Sequence, residues 1–275
     1  MSVILKIRTI SRNVRQGISL LSMLILITLG CTTDPQKDPD EPDRSANLLP
    51  AGASAGDLLQ NADYSRLLIQ IAYVNGFAPS DTAIEDLREF IMLRTFKEDI
   101  QFDFLPLPQT GKEVLSLQEV ADLELKNRTA YNAENTLALY LFFSDAPSDM
   151  DDPDNNTYTL GAVYRNTSMV LYGTTIRLLA SKIQGITVAD SEAATLQHEF
   201  GHLLGLVDMG SDPINEHTDP DSENHCFEAD CLMQASLKFN SGLGKTMRNR
   251  IAKQLTAVPD LGPECLRDLK AAGGR

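Results

Sequence analysis

The sequence predicts a mixed α/β domain, because segments with strand patterns alternate along the chain with segments of helical periodicity. The order is strand, helix, strand, helix and three strands, followed by one further helix. A chain of 275 residues can bury a substantial core, enough for one large domain or two small ones. This alternation favours a β-sheet with helices packed against it.

The first half of the chain supplies two strands and two helices. Residues 66–74 form an apolar run that ends at an Asn-Gly pair, and residues 100–105 alternate in strand fashion before a pair of prolines. Candidate capping boxes at residues 82–85 and 116–119 each predict the first turn of a helix. The first of these helices has an apolar face that can pack on a sheet.

Three strands follow in the central part of the chain. Residues 136–143 are a continuous apolar run, which is typical of a strand buried on both faces. Residues 157–164 and 168–172 are predicted as two more strands. The acidic loop at residues 145–156 is a candidate Ca²⁺ site, but it lacks the glycine and the terminal Glu of an EF-hand loop. A solvated loop is therefore the favoured interpretation.

The first thirty residues differ from the rest of the chain. Four basic side chains precede an apolar stretch at residues 18–29, and Gly30-Cys31 follows. This order predicts a secretory signal peptide at residues 1–30, because the apolar part is too short for a comfortable membrane span. Its end resembles the lipobox of bacterial lipoproteins, which implies lipidation at Cys31, although the two residues before Gly30 depart from the preferred types. An uncleaved N-terminal anchor is the alternative.

The predicted mature chain is strongly acidic. The net charge of −14 becomes −18 (−14 minus 4) when the signal peptide, with four basic residues and no acidic ones, is removed. Such a charge repels nucleic acid and anionic membranes, so we expect no nucleic-acid partner and membrane attachment only through the lipid. Residues 31–50 predict an acidic disordered tether, and residues 51–275 the folded domain. The expected location is extracytoplasmic, on a bacterial outer membrane or the cell surface.

The chemistry of the chain is concentrated in a helix predicted to begin near Asp190. The helix carries the sequence HEFGHLLG, from His198 to Gly205. Histidines four residues apart lie on one helical face, so both imidazoles can reach one cation at the zinc–nitrogen distance of about 2.0–2.1 Å. Glu199 is displaced from that face and well placed to accept a proton from a metal-bound water. His198 and His202 are therefore predicted to bind one catalytic Zn²⁺, with Glu199 as general base.

The residues beyond the helix extend this motif. Gly205 lies three residues after His202, where a left-handed cap can end the helix, and Asp208 lies three residues further on. The stretch from His198 to Asp208 resembles the extended zinc signature of the metzincin metallopeptidases. The third ligand of that family is usually His, and Asp at this position is similar to the snapalysin-like branch. The resemblance implies a zinc endopeptidase that acts on a protein or peptide substrate.

The resemblance also implies a zincin-like fold and further site residues. That fold has a twisted mixed sheet with an antiparallel edge strand, an active-site helix, a turn with a Met beneath the zinc, and a last helix, here at residues 244–255. Met233 is the candidate for the turn. The edge strand that pairs with an extended substrate would contain Leu160, Gly161, Ala162, Val163 and Tyr164.

The third zinc ligand stays open between two residues. A carboxylate binds zinc at about 2.0–2.2 Å, so Asp208 is chemically suited, although it makes the metal a weaker Lewis acid than a third imidazole does. His217, in a predicted loop, is the alternative. Glu216 suits the site poorly, because zincins with a Glu ligand place it on a second helix.

Three cysteines remain if Cys31 carries a lipid. Cys226 and Cys231 are separated by four residues, and three interpretations compete: a disulfide, free thiols or, with His225, a second metal site. The disulfide is favoured because the predicted compartment is oxidising. The second metal site is disfavoured because only Cys265 is left to complete its ligands.

These features together predict a monomeric, lipid-anchored zinc peptidase. The alternative is a lipid-anchored zinc-binding or adhesion protein that has a metzincin-like fold with little or no catalysis. Glu199 argues against the alternative, because a purely structural zinc needs no base beside it.

Overall fold

The computed structural model describes residues 43–235 and 242–275. The predicted signal peptide, Cys31 and most of the predicted tether lie outside the described residues. Within the described part of the chain, no helix is long and apolar enough to cross a membrane. The end of the predicted tether belongs to the fold, because Asn47 is buried and its side-chain amide donates hydrogen bonds to Asn132 Oδ1 at 2.8 Å and to the Ala138 carbonyl at 3.1 Å. The folded domain therefore begins before residue 51.

Five strands form the central sheet: β1 (Arg66–Val74), β2 (Asp99–Leu107), β3 (Thr136–Ser144), β4 (Gly161–Arg165) and β5 (Ser168–Tyr172). Their order across the sheet is β2-β1-β3-β5-β4, and all neighbours are parallel except β4 and β5. The central strand β3 is buried on both faces, as its continuous apolar sequence predicts. The predicted mixed sheet with one antiparallel edge strand is thereby confirmed.

A separate hairpin follows later in the chain, formed by β6 (Thr218–Asp219) and β7 (Ser222–Cys226). The α-helices of the described residues are α1 (Ala55–Leu59), α2 (Asp81–Arg94), α3 (Leu117–Asn127), α4 (Gly173–Lys182), α5 (Val188–Leu203), α6 (Gly242–Ala252) and α7 (Pro263–Ala271). Helix α5 packs against α2, α4 and the β4–β5 end of the sheet. Phe200 anchors this packing, with its ring edge-to-face on Phe90 of α2 at a centroid distance of 6.4 Å.

The element boundaries differ from prediction where local caps intervene. Helix α3 has the predicted capping box at Ser116, but α2 starts two residues early, because Ser80 Oγ accepts a hydrogen bond from the Ala83 N–H at 3.3 Å. Strand β4 starts later than the predicted residue 157, because a 3₁₀ turn at Pro153–Asn155 is followed by Asn156 with a φ of +52°. The predicted C-terminal helix is α6, and α7 follows it.

Candidate metal centre on helix α5

Helix α5 begins earlier than predicted and ends at Leu203, shortly before the predicted Gly205. Its N-cap is Thr187, whose Oγ1 accepts from the Asp190 N–H at 3.0 Å while Asp190 Oδ2 accepts from the Thr187 N–H at 2.8 Å. Gly205 has a φ of +84°, in the left-handed region. A β-carbon there would lie 2.7 Å from Ser211 Oγ and 2.9 Å from Ala55 Cβ, so the turn needs glycine for space as well.

The rings of His198 and His202 lie edge-to-face on α5, with their centroids 4.8 Å apart. Their Nε2 atoms are 3.1 Å apart, and the side chains are 2% and 6% exposed. His198 Nδ1 lies 2.8 Å from the carbonyl oxygen of Leu232, which can only accept a hydrogen bond. Nδ1 therefore holds the proton, and Nε2 presents its lone pair. Two nitrogens bound to one tetrahedral zinc at about 2.0–2.1 Å are about 3.3 Å apart, so the pair fits a single ion.

A third imidazole joins this pair from the end of the β6–β7 hairpin. The ring centroid of His225 lies 5.3 Å from that of His198 and 5.3 Å from that of His202. One nitrogen of each ring lies within 4.8 Å of the others. His225 Nδ1 donates to the Glu223 carbonyl at 2.8 Å, so its Nε2 also keeps a lone pair. Three neutral imidazoles are a ligand set that catalytic zinc takes.

The environment keeps these three imidazoles neutral. Burial lowers the pKa of His198 to about 4, and the neighbouring His225 contributes to that shift. Burial, together with both neighbouring imidazoles, holds the pKa of His202 well below its usual range, and burial also lowers the pKa of His225. Neutral imidazole is the form that binds a metal ion.

Asp208, the predicted third ligand, is not grouped with these histidines. Val207 and Asp208 have φ values of +57° and +62°, and the carboxylate of Asp208 is exposed. Its Oδ2 accepts a hydrogen bond from Thr218 Oγ1 at 2.7 Å, which ties the turn to the hairpin. The structure therefore brings His225, and not Asp208, to His198 and His202.

His217, the alternative third ligand, is fully buried in a different cluster. Its Nε2 lies 2.6 Å from Asp268 Oδ2, and its Nδ1 lies 3.3 Å from Cys226 Sγ. The neighbouring Glu216 is exposed and accepts a hydrogen bond from the Thr218 N–H at 3.1 Å. Neither residue joins the imidazoles of α5.

Glu199 is a buried carboxylate beside the edge strand. It is 5% exposed, and the Val163 backbone N–H donates a hydrogen bond to it. Burial raises the pKa of Glu199 to about 8, and the hydrogen bond from Val163 opposes this shift. A β-carbon on Gly161 would lie 2.8 Å from Glu199 Cγ and 2.9 Å from Oε1, so the close approach of strand and carboxylate depends on glycine. A cation bound by the neighbouring imidazoles would lower this pKa and favour the ionised carboxylate, which is the form that accepts a proton.

The residues predicted to form the edge strand lie beside Glu199, and the strand begins one residue later than predicted. Strand β4 begins at Gly161, and the preceding Leu160 is buried with its carbonyl accepting from the Tyr172 N–H at 2.8 Å. Ala162, Val163 and Tyr164 follow within the strand, and the register slips between Val163 and Arg165. The second edge of β4 has no partner strand in the described part of the chain.

The turn that contains Met233 packs against α5. Met233 is fully buried, and its Cε lies 3.0 Å from the position of a β-carbon on Gly201. The adjacent Leu232 provides the carbonyl that fixes the His198 ring. The Met233 carbonyl accepts from the Cys226 N–H at 2.8 Å, which connects the turn to the end of β7, one residue after His225.

The cysteines are not paired as predicted. Cys226, Cys231 and Cys265 are all buried free thiols. Cys231 Sγ lies 3.6 Å from Cys265 Sγ on α7, and Cys226 Sγ lies beside His217. Hydrogen bonds from the Cys226 and Cys265 thiols lower the pKa of Cys231. The favoured Cys226–Cys231 disulfide is not formed in the structure, and each of the two sulfurs instead contacts another side chain, His217 or Cys265.

The acidic loop uses its carboxylates within the fold. Asp145 Oδ1 accepts from Thr110 Oγ1 at 2.5 Å, and Asp151 Oδ1 accepts from the Thr159 N–H at 2.7 Å. The groups of candidate metal ligands found within residues 43–235 and 242–275 do not include this loop.

The chain is similar to archaemetzincin from Methanopyrus kandleri. The two share 15% sequence identity with a TM-score of 0.47, over 76% of this chain and 96% of that chain. Metalloproteinase-II from Bacteroides fragilis is also similar, at 12% identity with a TM-score of 0.35, over 84% of this chain and 59% of that chain. No protein-family model matches the chain, and no curated protein matches its sequence. The roles of the site residues therefore rest on the geometry of this chain.

His225 was not predicted to join His198 and His202 in the candidate metal centre. A signal was present, because all four histidines of the chain lie within residues 198–225. The hairpin that positions His225 has no recognisable pattern, since β6 is only two residues long. Asp208 has the spacing from His202 that the motif favours, but the left-handed turn at Val207 and Asp208 directs the chain away from the two histidines.

Proposed function

We propose that this protein is a zinc-dependent endopeptidase in which His198, His202 and His225 bind the metal and Glu199 is the general base. One observation carries the proposal: three neutral imidazoles converge beside a single buried carboxylate. A structural zinc site is normally closed by four protein ligands, whereas three ligands leave a position open for water or substrate. A zinc ion in this position lowers the pKa of a bound water and polarises a carbonyl group.

The chain's own residues supply the remaining parts of hydrolysis. Glu199 accepts a proton from the attacking water and delivers it to the leaving amine. The Val163 N–H holds the carboxylate in place, and Leu232 and Glu223 fix the tautomers of two of the rings. These outer hydrogen bonds keep the Nε2 atoms available for metal.

Strand β4 provides the surface that favours a peptide substrate. Its second edge offers backbone donors and acceptors without a partner strand among the described residues, and Gly161 brings this edge to Glu199. An extended peptide that pairs with β4 thus has its backbone carbonyls close to the metal centre. This arrangement supports an endopeptidase more than a hydrolase of small amides.

The test is digestion of a peptide library by the full-length protein. We expect cleavage with zinc, loss of cleavage with a chelator, and recovery when zinc is returned. Glu199→Gln should lower kcat/KM by about 10²–10⁴-fold, because the amide cannot accept the proton, while zinc content stays at the wild-type level. Glu89→Gln, at an exposed site on α2, is the matched control and should cleave normally. A wild-type protein that binds zinc and cleaves nothing would favour the binding or adhesion alternative.

A further inference from the structure

A second group of metal-binding side chains lies apart from the three imidazoles of the candidate centre. His217 precedes β6, Cys226 ends β7, Cys231 lies in the turn before Met233, and Cys265 belongs to α7. All four side chains are buried, with exposures of 0–1%. The sequence analysis considered this second site with His225 rather than His217, and disfavoured it because only Cys265 was left to complete its ligands.

Three separations within this group match those of a tetrahedral zinc site. His217, Cys226 and Cys265 each place one ligand atom within 4.8 Å of the other two, and Cys231 joins them through its contact with Cys265. Cys231 Sγ and Cys265 Sγ are 3.6 Å apart. His217 Nδ1 lies 3.3 Å from Cys226 Sγ and 4.0 Å from Cys265 Sγ. Zinc–sulfur bonds of about 2.3 Å and zinc–nitrogen bonds of about 2.0–2.1 Å place two sulfurs about 3.8 Å apart, and a sulfur and a nitrogen about 3.6 Å apart.

Backbone N–H groups point at two of the sulfurs. Cys226 Sγ accepts from the Glu228 N–H at 3.4 Å, and Cys231 Sγ accepts from the Met233 N–H at 3.4 Å. Each donor is two residues beyond its cysteine. Cys231 Sγ also accepts from the Gly262 N–H at 3.1 Å. Such donors stabilise a negatively charged sulfur, the form that binds metal, more than a neutral thiol.

A buried carboxylate orients the imidazole of this group. His217 Nε2 donates to Asp268 Oδ2 at 2.6 Å, so His217 Nδ1 presents its lone pair to the sulfurs. Asp268 Oδ1 is held in turn by the Ile214 N–H at 2.7 Å. Metal-binding histidines commonly donate their second ring N–H to a carboxylate in this way.

We propose that His217, Cys226, Cys231 and Cys265 together bind a second zinc ion, which is structural. Thiolate and imidazole ligands select zinc over the harder cations Mg²⁺ and Ca²⁺. Four protein ligands leave no open position, so the ion does not act on substrate. Binding releases the three thiol protons to solvent, and the zinc–thiolate bonds replace the S–H bonds.

The second ion stabilises the segments that build the candidate metal centre. Cys226 follows His225 directly, and Cys231 precedes Leu232, whose carbonyl fixes the His198 ring. A metal bound to both cysteines, and to Cys265 of α7, therefore joins the C-terminal helix to the turn and the hairpin. Loss of this ion should make the position of His225 in the candidate metal centre less well defined.

Zinc content of the purified full-length protein tests the proposal. We expect about two zinc ions per wild-type chain, and about one each in Cys265→Ser and in the double variant His198→Ala/His202→Ala. Cys31→Ser, which removes the fourth cysteine, is the control and should retain about two. One zinc in the wild type, or two in Cys265→Ser, would overturn the proposal, as would a Cys231–Cys265 disulfide in the wild-type protein.

Cobalt substitution of the wild-type chain gives a second test that does not depend on the folding of a variant. Cobalt in a site with three thiolates shows sulfur-to-cobalt charge-transfer absorption, whereas cobalt bound by three imidazoles does not. We expect that absorption, and its persistence in Glu199→Gln. Its absence would refute the second site, whereas a failure of peptide cleavage alone would refute only the proposed function.

Discussion

Met233 Sδ occupies the space that a side chain on Gly201 would need, and Met233 Cε lies 3.0 Å from the position of that β-carbon. Gly201 lies between His198 and His202 on α5. Its contact with Met233 therefore determines how closely the turn that contains Met233 approaches the helix. Gly201 lies within α5, so Gly201→Ala combines an overpacking cost of about 1–3 kcal/mol with a helix-propensity gain of about 1 kcal/mol. We expect the free energy of unfolding, measured by urea denaturation, to fall by up to about 2 kcal/mol.

Gly56→Ala is the matched control, because a β-carbon at Gly56 of α1 would contact nothing within 4 Å. Alanine favours helix over glycine by roughly 1 kcal/mol, so this variant should be as stable as the wild type or slightly more so. A Gly201→Ala variant that is stabilised as much as Gly56→Ala would contradict the close packing of Met233 on α5.

A buried ion pair at the end of α3 supports the sheet. Glu124 Oε1 accepts from Arg128 Nη1 at 2.7 Å, and both side chains are at most 1% exposed. Glu124→Gln leaves the guanidinium buried without a carboxylate, so we expect a loss of about 3–5 kcal/mol in chemical denaturation. The control is Asp99→Asn at the exposed Arg66–Asp99 pair, which should cost less than about 1 kcal/mol. Similar losses in the two variants would refute this assignment.

Lys97 makes the stability of the fold depend on pH. Its ammonium group is buried and donates to the Gln60 carbonyl at 2.6 Å and to the Tyr64 carbonyl. Burial lowers the pKa of Lys97 from 10.5 to about 8, and the charge of Asp57 opposes the shift. Between these values the unfolded chain holds a proton that the folded chain has released, so the contribution of Lys97 to stability rises with pH.

The measurement compares the wild type with Lys97→Met in denaturant at about pH 7.5 and about pH 9.5. The difference in free energy of unfolding should shift in favour of the wild type at the higher pH, by up to about 1.4 kcal/mol per pH unit. The exposed Lys112→Met is the control and should show no such shift. If the difference in free energy of unfolding between the wild type and Lys97→Met does not change with pH, folding does not lower the pKa of Lys97.

The sequence predicted the parts of the fold that local patterns determine. Strands β1 and β5 have the predicted boundaries, because their residues are strongly apolar and bounded by turns. The capping box at Ser116 was also correct, since its two hydrogen bonds join residues three apart. Helices α4 and α7 were missed, because neither has a side-chain hydrogen bond at its N-cap to mark its start.

The parts of the site that depend on distant segments could not be predicted in the same way. The spacing of His198, Glu199 and His202 fixes their relation on one helix. His225 reaches them only through the hairpin, and Cys265 reaches Cys231 only through the position of α7. Such contacts between separate segments depend on tertiary packing, which no periodic pattern in the sequence records.

Zinc affinity of the single variants His225→Ala and Asp208→Ala, measured by competition with a calibrated chelator, tests the assignment of the metal centre most directly. If His225 is the third ligand, His225→Ala should weaken binding at the α5 site by at least about 10–100-fold, while Asp208→Ala, which loses only the hydrogen bond to Thr218, should bind as the wild type does. Weakened binding in Asp208→Ala together with wild-type affinity in His225→Ala would contradict the account.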